Sequence, residues 1–502
     1  MGVPDGKLPF AWLVARRKAC RKVIGEYRMI RLFVSASAKI PGPRRWRPKA
    51  WFGALMLLCF AVPTLFPLPA DAQQGRRISV IRDAEVEHII ASMAAPLLRF
   101  GGMSLNDVTL RVIVDDRLNA FATTGNRIFL NTGLILRTEN VDQLRGVVAH
   151  EIGHLAGGHL LRVGDQIAQA NTTALLGALA GLAAGVAAGR GDVATAVILG
   201  GNQAALRGFL AFTRTQENAA DAFAMRALDA SGYSSRGFLE FFEILGDQEL
   251  LTAAAQDPYA RTHPLSRSRV EAVRAHLTTS RAANAAPPAA EVENHARLQA
   301  KIGAFLLPTR TTLQRYPESD QSLPAIYARA IAYYRAGQIQ QALPLIDSLI
   351  AIRPQDPYFH EMRGQMLVDS QRIAEAVPSY RMAAQLAPRS PLITLSLAHT
   401  LVESRDPSLL AEARAATQQA LAMDPNNILA WRLSATAHAL SGDSGMAAYA
   451  TAEMHLRRGD FRDAVGQARK AVELLPPNSP ARLKAQDLVL DAQRQLDQSR
   501  GN

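Results

Sequence analysis

The sequence predicts an α+β protein that is mainly α, with a mixed domain in the first half of the chain and a solenoid of helical repeats in the second. Three observations predict it. Between residues 83 and 280, helical patterns flank two short extended stretches, Val108–Val114 and Arg127–Leu130. From Leu323 onward, alanines and prolines recur with a period near 34. Between these regions, residues 279–296 are Ala/Pro-rich and read as a flexible linker. At 502 residues the chain is longer than one core usually supports, so more than one domain is expected.

The N-terminus is set apart by charge. Residues 1–72 carry +10 of the formal net charge of +12, so the main body has no cationic excess for phosphate, and nucleic-acid binding is not expected. An apolar run, Trp51–Leu68, follows Arg44, Arg45, Arg47 and Lys49 and leads to Ala70-Asp71-Ala72. A basic flank, a short apolar core and a small-x-small end read as a secretory signal peptide cleaved after Ala72. Pro63 and Pro67 argue against a stable spanning helix, although an uncleaved inner-membrane anchor is the alternative. The basic region is long, so translation could start at an internal Met such as Met29. The two cysteines, Cys20 and Cys59, precede the cleavage point, so any metal in the mature chain must rely on His and carboxylate ligands.

The remaining elements follow in order. A helix is expected over 83–99, then the two extended stretches, then a turn at Asn131-Thr132-Gly133. A long helix is expected from about Val141 to Val163, with Glu139 and Asp142 near its start, where the helix dipole favours acids. Residues 172–212 form a low-complexity Ala/Gly/Leu stretch. It reads as a lid or a membrane-surface segment, because Ala and Gly supply too little hydrophobicity for a true span. A helix carrying Glu217 and Asp221 follows, then helices near Arg236–Leu245 and Ser266–Leu277. In the second half, Pro354 and Pro388 stand 34 apart, and Ala342, Ala376, Ala413 and Ala464 each lie 12 residues before a proline. Small residues where helices meet, and prolines that end them, are the marks of tetratricopeptide repeats, with Tyr333, Gly364 and Tyr380 at other positions of the pattern. The resulting division is 1–72 basic region and signal peptide, 73–280 mixed domain, 281–322 linker and connecting helix, 323–480 repeats and 481–502 C-terminal helix.

His150-Glu151-Ile152-Gly153-His154 is the chemistry-bearing motif. Four residues are one helical turn plus about 40°, so both imidazoles leave one face of the helix and can hold one Zn²⁺. Glu151, one step away, can act as a general base toward water. A third ligand is required. Gly157 fits the start of one known extension, but Leu160 stands where a histidine is needed. His159 lies nine residues from His150, about half a turn round a continued helix, and reads as a structural or surface histidine. Glu217 is the better candidate, with Asp221 on the same helix face to orient a ligating histidine through its other ring nitrogen.

His-Glu-x-Gly-His, then Arg214-x-x-Glu217-x-x-x-Asp221, then Thr262-His263-Pro264 together resemble the zincin-like metallopeptidases that include the CAAX prenyl endopeptidase, HtpX and Oma-type proteases. With a signal peptide and C-terminal tetratricopeptide repeats, the whole resembles the BepA-type periplasmic proteases. Asn119-Ala120-Phe121-Ala122, followed by Gly125 and Ile128, resembles the family's active-site edge strand, while Ala219 departs from relatives that carry a second acid there. The resemblance implies one Zn²⁺ per chain on His150, His154 and Glu217, with Glu151 as base and Asp221 supporting the ligands. It implies that His263 stabilises the oxyanion or blocks the open site, and that Asn119 and Ala120 pair with an extended substrate. It further implies a periplasmic endopeptidase acting on unfolded or misassembled polypeptides, with the repeats meeting an outer-membrane assembly complex and 172–212 contacting the membrane periphery. The alternative is a non-proteolytic chaperone or scaffold with a structural metal; an intact Glu151 weighs against it, since a structural site needs no base.

Overall fold

The computed structural model describes residues 79–159, 162, 212–249 and 256–501; the segment read as a signal peptide and the stretch 172–211 lie outside the described residues. The first half is built on a four-stranded sheet of order β1-β2-β4-β3, with β1 at Val80–Ile81, β2 at Thr109–Ile113, β3 at Ala120–Thr123 and β4 at Arg127–Asn131. β2 and β4 run parallel, while β1 and β3 pair antiparallel on either side, leaving β3 at an open edge. Helix α1, Ala84–Phe100, is capped by Asp83, whose side chain accepts from the Val86 N–H. A short α2, Thr132–Arg137, follows β4 directly.

Helix α3, Val141–Ala156, is capped by Asn140, which accepts from the Gln143 N–H. Its residues from Gly146 to His154 are all buried, so a core helix and not a surface helix carries the His-Glu-x-x-His motif. It stops seven residues short of the expected end at Val163: Gly157 closes the last turn, and Gly158, at φ +61°, turns the chain out of the helical path. A helical segment at 212–230, α4, crosses α3 closely. A Cβ added at Gly153 would come within 2.9 Å of the Ala220 carbonyl, so only glycine allows this approach. Helices α5 (Arg236–Glu249), α6 (Pro258–Thr262) and α7 (Arg267–Thr279) complete the layer. One hydrophobic core joins Ile89, Leu97, Leu130, Val147, Ile152 and Phe241.

Helix α8, Ala289–Leu306, belongs to this core as well, through Leu298 and Ile302. The region expected to be a flexible linker is therefore pinned. Ser234 Oγ donates to the Ala283 carbonyl at 2.7 Å, Arg236 donates to Asn284 Oδ1 at 2.9 Å, and the Tyr233 hydroxyl donates to Glu291 Oε1 at 2.9 Å. Arg145 of α3, fully buried, pairs with both Asp142 and Glu291 beneath the Tyr233 ring.

After α9, Thr309–Arg315, ten helices form the solenoid: α10 Leu323–Arg335, α11 Ile339–Ile352, α12 Pro357–Asp369, α13 Ile373–Leu386, α14 Pro391–Glu403, α15 Leu410–Met423, α16 Ile428–Leu440, α17 Ser444–Arg458, α18 Phe461–Leu474 and α19 Pro480–Gly501. These are tetratricopeptide repeats. Ala342, Ala376, Ala413 and Ala464 are all fully buried where helices meet. The turn between the two helices of each repeat is left-handed, at Gly337, Gln371, Arg405, Gly442 and Gly459. The first three of these are 34 residues apart. The next step is 37, the excess matching a 3-10 turn at Pro407–Leu409. The last step is 17, half a period. Ala464 therefore does not close a full repeat after Ala413: α17 packs against both α16 and α18, ending one repeat and opening the next. Among the described residues no helix is long and apolar enough to cross a membrane.

Candidate metal centre

Helices α3 and α4 and the α6–α7 turn bring the site together. His150 and His154 leave one face of α3, with ring centroids 4.7 Å apart and their Nε2 atoms 3.0 Å apart. Glu217 arrives from α4, its carboxylate oxygens 3.3 Å from His150 Nε2 and 3.3 Å from His154 Nε2. His263, just past α6, completes the group: its Nδ1 is 3.1 Å from Glu217 and 3.3 Å from His150 Nε2. Donor atoms of His150, His154, Glu217 and His263 all lie within 4.8 Å of one another, and all four residues are buried. The Tyr259 ring stacks on His263 with centroids 4.5 Å apart and holds it in place.

A cation fits this arrangement on three observations. Three imidazoles and one carboxylate turn donor atoms toward one point, with ring nitrogens about 3 Å apart, a convergence that a cation or shared protons can satisfy. The donor set is nitrogen and carboxylate oxygen, the set suited to Zn²⁺. Among the described residues, neither buried carboxylate oxygen of Glu151 has a hydrogen-bond partner, the nearer lying 3.7 Å from His263 Nε2. A buried acid without hydrogen bonds is costly unless something enters that it serves.

Outside the four donors, Asp221 accepts from His150 Nδ1 at 2.8 Å, so the Nε2 atom of His150 faces the site. Arg269, on α7, binds Asp221 in a two-pronged contact at 2.6 and 2.8 Å, and its Nη1 is 3.1 Å from Glu217. Burial works against charge on both carboxyls. His263, His150 and His154 outweigh it at Glu217, and Arg269 and His150 outweigh it at Asp221, so both are held below the ordinary carboxylate range. Burial also disfavours a charged His150, but hydrogen bonds to Asp221 and Glu217 raise it to about 9. His154, in the same cluster, is instead lowered from the ordinary histidine value by burial.

Sequence reading did not find Arg269. Its one local sign is an arginine in the first turn of a helix, where the dipole disfavours cations, a sign that the exposed Arg267 shares. His159, read as a structural or surface histidine, is buried, its Nδ1 3.0 Å from His154 Nδ1. Ala120 is buried in β3, while the Asn119 carbonyl accepts from the Asn131 N–H at 2.9 Å. In an antiparallel pair the hydrogen-bonding direction alternates, so the main-chain groups of Ala120 and Ala122 face the open edge. The carbonyl of Asn119 is spent on β4; its buried side-chain Oδ1 has no hydrogen-bond partner among the described residues.

The fold and this centre define a metallopeptidase, whose cofactor is a metal. Residues 81–277 match the model of peptidase family M48. Over a longer span the chain is similar to the beta-barrel assembly-enhancing protease of Yersinia pestis, 26% identical over 366 residues, covering 71% of this chain and 72% of that protein. It is 24% identical over 438 residues to the beta-barrel assembly-enhancing protease of Escherichia coli (strain K12), covering 84% and 85%. A solved tetratricopeptide-repeat protein with an unusual peptide-binding site shares 17% identity at a TM-score of 0.30, covering 35% of this chain and 91% of that one.

Proposed function

We propose that the protein is a zinc-dependent endopeptidase of the cell envelope that hydrolyses misfolded or misassembled polypeptides, in quality control of outer-membrane protein assembly. One observation carries the chemistry: His150, His154 and Glu217 converge, and beside them stands Glu151, which makes no side-chain hydrogen bond among the described residues. The metal, when bound, acts as a Lewis acid on the scissile carbonyl and makes water a better nucleophile at neutral pH. Glu151 takes the proton from the attacking water and passes it to the leaving amine. His263, braced by Tyr259, donates to the developing oxyanion or fills the open position when no substrate is present. Asp221 keeps His150 in the ligating tautomer, and Arg269 holds both carboxylates.

An extended substrate adds to the open edge of β3 through the main-chain groups of Ala120 and Ala122, with Asn119 Oδ1 as a further acceptor. Main-chain pairing has little sequence preference, so client choice falls to the repeats, whose stacked helices suit an extended partner. The name shared by the two relatives supports an assembly complex as that partner. The candidate signal segment supports a periplasmic location for the mature chain.

The test uses the purified full chain and an unfolded polypeptide, with and without a zinc chelator. Hydrolysis is expected only in the metal-replete enzyme. Glu151→Gln is expected to keep the metal and the fold and to lower hydrolysis by roughly 10²–10⁴-fold. Near-normal hydrolysis by this variant refutes the assignment of the base.

A further inference from the structure

We propose that His159 is a positioning residue that fixes the tautomer and the ring orientation of the candidate ligand His154. The proposal rests on the metal reading above and deepens it. His154 turns Nε2 toward His150 and Glu217, and the opposite ring nitrogen, Nδ1, lies 3.0 Å from His159 Nδ1. Two imidazole nitrogens at this distance share one proton, so one donates and the other accepts. A His154 that ligates through Nε2 has no proton there, and its single proton is on Nδ1. His159 must then accept at Nδ1 and carry its own proton on Nε2. The reverse assignment puts a proton on His154 Nε2 and closes that atom to a metal.

The chain is shaped to deliver this contact. A continued helix would carry His159 to the face opposite His150. Instead α3 ends at Ala156, and the left-handed Gly158 folds the chain back, so the His159 ring meets the His154 ring at 5.1 Å and 80°. The ring lies over the bare backbone of Gly157, where a Cβ would fall 2.3 Å from His159 Nε2. The main chain of the same residue is anchored on the other side, since Gln216, next to Glu217, donates to the His159 carbonyl at 3.2 Å. The two histidines of α3 are thus held by different means. A carboxylate backed by Arg269 sets His150, and a neutral imidazole sets His154.

The test measures metal affinity, not turnover, on the full chain by competition for Zn²⁺ with a fluorescent chelator. His159→Ala is expected to lower affinity by about 10- to 100-fold, the usual effect of removing a group that orients a ligand. His159→Gln, whose side-chain oxygen can accept from His154 Nδ1, is expected to recover part of the loss. Gly157→Ala, which pushes the ring aside, is expected to resemble His159→Ala. A folded His159→Ala with wild-type affinity overturns the proposal. If the alanine variant does not fold, histidine ¹⁵N chemical shifts of the zinc-loaded wild type decide: a proton on Nε2 of His159 supports the proposal, and a proton on its Nδ1 overturns it. A wild type that binds no Zn²⁺ refutes the underlying metal reading instead, so the two failures are distinguishable.

Discussion

Arg269 shows how much of this site depends on one buried cation. It is 3% exposed and faces two carboxylates that are equally hidden, Asp221 and Glu217. Removing it leaves two buried negative charges short of a partner, a change that costs about 3–5 kcal/mol where nothing else compensates. Arg269→Met, stripped of metal by a chelator, is expected to lose stability on that scale in thermal unfolding. Added Zn²⁺ should restore more stability to the variant than to the wild type, because the cation takes over part of the role of the guanidinium. Equal gains in both proteins would mean that Glu217 does not face the metal. At this scale the sequence was informative where function depends on spacing along one helix: His150, Glu151 and His154, then Glu217 and Asp221. Arg269 and His159 escaped for a physical reason. Their contacts come from chain reversals, at Pro264–Ser266 and at Gly157–Gly158, which helical periodicity cannot anticipate.

Among the elements, α8 departs most from the sequence reading, which placed its first turns in a linker because Ala and Pro dominate there. Its face is set by long-range partners. Arg297 pairs with Glu85 of α1 at 2.5 Å and with Asp356, the cap of α12, at 2.6 Å, while Lys301 pairs with Asp83 at 2.8 Å. His295 on the same helix meets the Thr138 hydroxyl at 3.0 Å; burial, aided by Arg145, lowers it to about 4 from the ordinary 6.5. A base depressed in the folded state leaves stability unchanged above pH 6.5, where both states are neutral. As pH falls from about 6.5 to 4, the unfolded chain gains a proton that the folded chain refuses, and stability declines by up to about 3 kcal/mol. Denaturant unfolding at pH 7 and at pH 4.5 should show a smaller acid loss in His295→Gln than in the wild type. An identical loss would mean that His295 stays protonated in the fold. Strands β2 and β4, α1 and the repeats were legible because their signals are local: short β-type runs, a helical pattern over 83–99, and alanines before prolines; β1, two residues long, gave no such signal. The half-period step at α17 was hidden because one helix serves two repeats, and 51 residues between alanines resembles a stretched repeat.

For the whole molecule, these contacts mean that the catalytic half and the repeats are not joined by a loose tether. Cutting at residue 297 would remove Leu298 and Ile302 from the catalytic core and strip Asp83 and Glu85 of their buried cations. A chain ending at 296 is therefore expected to be poorly folded by circular dichroism, whereas one ending at 308 keeps α8 and should retain more helical structure and a cooperative melt. Equal folding of the two would show that α8 contributes little to the catalytic core. The client selection proposed for the repeats would then act from a fixed position and not from a swinging arm. The central claim is nonetheless about the metal, and elemental analysis of the purified full chain tests it most directly. About one Zn²⁺ per chain is predicted, lost together with hydrolysis when a chelator is added. A folded protein that hydrolyses an unfolded polypeptide with no metal bound would contradict the account.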